Sequence, residues 1–235
     1  MVAGLWKAGE RRLFPRYLPD APLGLPVLRT ELPPGLSPRR LARVAGSLRK
    51  RGIRRYFTAP ALRDVSLPGL SPVDPLPLLR AKGDALALAL LEGVPLRERR
   101  VAIRGEKADL LACQLATALC PRVGMLLLDF DRGEEDLRDL LRREQGAAAP
   151  ALGSGFTPQV SLELSPRRSE VGETLRLWGE PRLAGLTLTA ELPFPPDCDP
   201  LPLLVLLWET GRIPLSGFRV RKFLDRSGEN QYNTQ

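Results

Sequence analysis

Residues 101–131 read as a strand, a helix and a second strand, and this unit constrains the chain more than any other stretch. Val101-Ala102-Ile103-Arg104-Gly105 is a short apolar run closing on a glycine, which predicts a buried strand that ends in a turn. A helix is predicted from about Lys107 to Leu119. An apolar strand over 123–128 follows and ends on Asp129-Phe130-Asp131. Strands linked through a helix lie parallel in one sheet, with both faces covered.

In dinucleotide-binding sheets, such a first turn carries three glycines, and an acid some 20 residues on holds the ribose hydroxyls. Asp129 lies 24 positions after Gly105, but the second and third glycine positions hold Lys107 and Leu110. Pyrophosphate needs close backbone approach, which those side chains obstruct, and Glu106 would repel it. The candidate ligand-binding residues here are Gly105, Glu106, Lys107, Asp129 and Asp131. They fall at the carboxyl edge of the strands, where open α/β sheets take ligands. The same residues have a structural account. Gly105 would make a tight turn, Glu106 would complement a helix dipole, and Asp131 would cap the helix beginning near Glu134.

Leu126-Leu127-Leu128-Asp129-Phe130-Asp131 also resembles the first motif of the haloacid-dehalogenase-like phosphatases. The resemblance implies Asp129 as nucleophile, Asp131 as acid/base and a magnesium ion between them. It covers six residues. Gly133 stands where that family has Thr or Val, and the motif lies mid-chain rather than near the start of a domain. Lys222 is the one lysine downstream, and no later acidic pair follows on an apolar strand.

The chain has no histidine. That removes Ser-His-Asp and Cys-His nucleophile systems, His-ligated zinc and the commonest general base near neutral pH. Cys113 and Cys120 are seven residues apart on a predicted helix, roughly 10 Å along its axis, too far for a disulfide. With Cys198 they make an odd count without a C-x-x-C pair, which predicts reduced thiols and a cytoplasmic protein. No signal peptide is read in the first 25 residues, and the longest apolar run, 85–91, is far short of a membrane span. The sequence names no cofactor.

Charge is uneven. Residues 1–100 hold 19 Lys/Arg against 8 Asp/Glu, a balance of +11, whereas 101–235 hold 16 against 19, a balance of −3. Between Arg39 and Arg55 stand eight basic residues and no acidic one. Ser37-Pro38 signals the start of a helix with an apolar stripe at Leu41, Val44, Ala45 and Leu48. Arg39, Arg43 and Lys50 share the opposite face, with Arg54 just beyond. This 39–55 segment is the candidate contact for an acidic protein or nucleic acid.

Elsewhere the pattern predicts strands at 25–32 and 53–59 and an apolar helix at 76–92 interrupted at Gly83. A helix at 134–145 has acids at its start and arginines at its end. After Pro150, the segments 159–165, 174–178 and 185–192 alternate apolar and polar residues, as antiparallel strands do. Asp-Pro-Leu-Pro-Leu-Leu occurs at 74–79 and 199–204, a good start for a buried helix, and a last strand is predicted at 218–224. The polar tail 226–235 is predicted to fray.

The expected fold is α/β: a Rossmann-like, open, mostly parallel sheet over residues 1–150, with a smaller β-rich part at 151–235. The expected function is non-enzymatic, a binding or scaffold protein on a degenerate Rossmann-like core. One alternative is an enzyme or sensor that takes a nucleotide-like molecule at the Gly105/Asp129 crevice. The other is a basic nucleic-acid-binding module.

Overall fold

The structure, a computed structural model, describes residues 1–9, 13–146, 157–166, 172–195 and 197–222. The strands are β1 (Val2–Lys7), β2 (Arg16–Asp20), β3 (Val27–Leu32), β4 (Arg55–Thr58), β5 (Ser71–Pro72), β6 (Arg100–Lys107), β7 (Met125–Arg132), β8 (Val160–Glu163), β9 (Glu173–Arg176), β10 (Leu186–Thr189) and β11 (Arg219–Lys222). The α-helices are α1 (Pro38–Lys50), α2 (Leu76–Ala81), α3 (Gly83–Leu90), α4 (Leu110–Leu119), α5 (Glu134–Gln145) and α6 (Pro200–Glu209). The chain is mixed α/β with parallel-rich sheets, and no helix among the described residues is long and apolar enough to cross a membrane.

One compact unit joins residues 1–75 to 189–218. Its sheet has the order β2-β3-β1-β4-β5. β1 runs parallel to β3 and β4, β4 parallel to β5, and β2 pairs antiparallel along β3. The strand at the centre, β1, is one that alternation does not reveal. Ala3 to Trp6 are all buried, as in strands covered on both faces. The α1 stripe does what its spacing predicts: Val44, Ala45 and Leu48 bury against Ala3, Leu5, Leu28 and Leu32. Each larger side chain contributes about 1.5–3 kcal/mol by leaving water.

The other unit joins residues 76–188 to 219–235, described as far as Lys222. Its main sheet, β7-β6-β8-β9, is parallel throughout, and β10 and β11 form a two-stranded sheet. The strands read as one parallel sheet from β3 to β7 thus fall into two sheets.

Several local expectations are corrected. The run expected to turn at Gly105 stays in β6 as far as Lys107. The next helix therefore starts at Leu110, capped by Asp109, whose side chain accepts from the Ala112 N–H. Asp131 is not a cap: it lies within β7, and Gly133 holds the N-cap position of α5 with φ +76°. The interruption expected at Gly83 is present one residue earlier, with α2 and α3 parted at Lys82. β8 and β9 are parallel, not antiparallel. The alternation of β8 came from Ser161 and Glu163, polar residues that are themselves buried, so no face of β8 meets water. The tail 226–235 lies outside the described residues.

Candidate functional site

The parallel sheet of the second unit brings four charged residues into one row. Arg104 of β6 is in register with Asp129 of β7 and with Glu163 of β8, and Glu163 with Arg176 of β9. Neighbours in register on a parallel sheet share a face, so signs alternate Asp–Arg–Glu–Arg across all four strands. Arg104 Nε lies 3.6 Å from Asp129 Oδ2, and Arg176 Nε 4.0 Å from Glu163 Oε2. Glu163 is 1% exposed and Arg104 6%. Ionised groups this deep stand only when compensated by opposite charge.

This row decides what Asp129 can do. Its carboxylate faces a guanidinium rather than an open crevice. Glu106 pairs with Arg132, and the Glu106 N–H donates to Ser165 Oγ at 2.7 Å. With β6 between β7 and β8, successive connections from the sheet's first strand lead to opposite sides, and a ligand crevice belongs between β6 and β8. The amide that would cradle a phosphate there is the one Ser165 holds. Beyond β7, Asp131, Glu134, Glu135 and Asp136 line an open groove of about 460 Å³, an unfavourable place for phosphate. Glu134 also accepts the Phe130 N–H at 2.8 Å. Lys107 closes β6 on the exposed surface.

Magnesium does not fit the Asp129/Asp131 pair. A guanidinium lies against Asp129, and among the described residues no cluster of three His, Cys, Asp or Glu could hold a metal ion.

The basic segment presents a different geometry. Arg39, Arg40, Arg43, Arg49, Lys50, Arg51 and Arg54 are all exposed, and none has a salt-bridge partner among the described residues. The eighth cation, Arg55, is held by a fork of two bonds to Glu209, at 2.7 and 3.0 Å. Arg39, Arg43 and Lys50 run along α1, and Arg54 stands past its far end. No acid occupies the first turn of α1, where Arg39 and Arg40 sit instead. Cations there oppose the helix dipole at a cost of a few tenths of a kcal/mol each. α5 obeys the rule that α1 breaks, with Glu134, Glu135 and Asp136 at its start and Arg142 and Arg143 at its end.

Sequence reasoning missed the residues beside this face. Leu13 and Phe14, 76% and 79% exposed, line a groove of about 290 Å³ with Tyr17, Leu36, Arg40 and Arg43. Arg51 stacks over the Tyr17 ring at 4.9 Å. β2, paired antiparallel to β3, carries Tyr17 there, and nothing local in 13–17 announces it.

The thiols do not add a reactive centre. Burial pushes Cys198 up to about 11, with the Asp197 carboxylate adding to the effect. The folded state holds this proton more tightly than the unfolded chain. Stability from the neutral thiol is therefore full below pH 9 and is lost as pH rises towards 11. Alkylation by iodoacetamide at pH 8 is expected to be at least about tenfold slower at Cys198 in the folded protein than in urea. Equal rates, read by peptide mass spectrometry, would refute it.

No family model matches the chain, and no curated protein is similar to it in sequence.

Proposed function

We propose that the chain is a non-enzymatic binding protein, a Rossmann-like α/β framework that offers the α1 surface to an acidic partner. The observation that carries this reading is the set of seven exposed cations on and after α1, all without a salt-bridge partner among the described residues. Stability alone would place acids at the start of α1, and a surface that departs from the local rule is where function is expected. The strand order β7-β6-β8-β9, with the first strand between the second and the third, supports the Rossmann-like reading. The nucleotide alternative is weakened because Arg104, Arg132 and Ser165 already engage the groups it needs.

Two labelled polyanions, poly-L-glutamate and heparin, test the proposal by fluorescence anisotropy. Both are expected to bind at low salt. The variant Arg39→Glu/Arg43→Glu/Lys50→Glu is expected to bind at least tenfold more weakly with an unchanged circular dichroism spectrum. Absent binding, or binding that survives the reversal, would refute the reading.

A further inference from the structure

We infer that the acidic partner is single-stranded nucleic acid, with one base stacked on Phe14 and successive phosphates on Arg39, Arg40, Arg43 and Lys50. This rests on the reading of α1 as a polyanion surface and adds the class of partner. Proteins that hold single strands without sequence preference combine a cationic track with an exposed aromatic platform. Both parts are present in one unit and adjoin. The track is α1, about 20 Å long at 1.5 Å per residue. The platform is Phe14, a residue 79% exposed at the end of the track where Arg40 and Arg43 enter the groove. Leu13 and Leu36 line the same groove with apolar surface on which an unstacked base can rest.

An acidic protein segment fits less well. A helix laid in a groove needs apolar anchors at every turn, at i, i+3 or i+4 and i+7. Here the large apolar surface is confined to one end, beside Leu36, Arg40 and Arg43, and apart from Pro38 and Ala42 the exposed residues of α1 are cationic. Duplex DNA would use the cations and leave the ring unused, since its bases are already stacked. Six of the seven cations are arginines, whose planar forks match phosphate oxygens two at a time.

The test is anisotropy of fluorescein-labelled (dT)20 with the full chain. Four phosphate contacts on a single strand predict a slope of log affinity against log salt of about −3. That corresponds to a loss of roughly 50-fold between 50 and 200 mM salt. Phe14→Ala is expected to weaken binding by about fivefold or more and to leave the slope unchanged. Arg43→Ala is expected to reduce the slope by about 0.7. Phe14 is so exposed that its loss leaves the fold intact, which circular dichroism checks. The assignment is overturned if (dT)20 does not bind, if a duplex of equal length binds as tightly, or if Phe14→Ala is silent. When (dT)20 does not bind and poly-L-glutamate still binds through Arg39, Arg43 and Lys50, the partner is an acidic protein and the reading of α1 survives. A duplex that binds as tightly, or a silent Phe14→Ala, removes the single-strand assignment and leaves α1 a polyanion surface. When neither polymer binds, both fall.

Discussion

Replacing Glu163 by leucine is expected to destabilise the protein by about 3–5 kcal/mol, the cost of breaking a buried ionic arrangement by removing one member. Glu163 is flanked in register by Arg104 and Arg176, so its loss leaves two guanidinium groups facing one another across β8 without the carboxylate between them. Leucine fills similar volume, which separates the charge effect from a packing defect. Urea unfolding followed by tryptophan fluorescence measures the change, since Arg176 lies over the Trp178 ring at 4.9 Å. Converting the whole row to apolar residues, Asp129→Leu, Arg104→Met, Glu163→Leu and Arg176→Met together, is expected to recover most of the loss. A cost below about 1 kcal/mol for Glu163→Leu is the value of an exposed pair and would show that water reaches the row.

The second large effect is expected at Gly4. A Cβ there would lie 2.2 Å from the Trp6 ring and 2.8 Å from the Phe57 ring, on the strand at the centre of the first sheet. Those rings meet edge to face, with centroids 5.6 Å apart at 78°. Neither ring can retreat easily, because Trp6 and Phe57 are both buried and Arg29 covers Trp6 at 4.5 Å. Gly4→Ala is expected to cost about 1–3 kcal/mol, as overpacking of a filled core does, and Gly4→Val more. Phe57→Leu in the same chain is expected to restore part of the loss by making room. A neutral Gly4→Ala, measured by the urea midpoint, would show that the rings can shift.

How far the sequence could be read depends on which physical signal each element carries. α1 and α5 were legible because an apolar stripe and end signals mark an amphipathic helix whatever lies around it. The row of charges was not, because Arg104, Asp129, Glu163 and Arg176 sit on four strands and become neighbours through register alone. Alternation at Ser161 and Glu163 misled for the same reason: periodicity reports polarity, and burial of a polar residue depends on its neighbours across strands. β1 was missed because it is buried on both faces and only six residues long. The cations of 39–55 were visible as a run. Their lack of partners was not, since Arg55 looks like the others until α6 brings Glu209 to it.

The path of the chain through the first unit bears on its synthesis. The sheet strands β1 to β5 are complete by residue 75, but the segment 189–218 joins them only after residues 76–188 have been made. At 5–20 residues per second that delay is on the order of ten seconds. Arg29, Arg55 and Arg63 find Asp197, Glu209 and Asp199 in the late segment. Until it emerges, residues 1–75, with 14 Lys/Arg against 5 Asp/Glu, hold these three arginines without those partners. The positive charge of residues 1–75 is thus less compensated in the newborn segment than after the late segment has docked. The late acids neutralise Arg29, Arg55 and Arg63 and leave Arg39, Arg43 and Lys50 of α1 without a salt-bridge partner among the described residues.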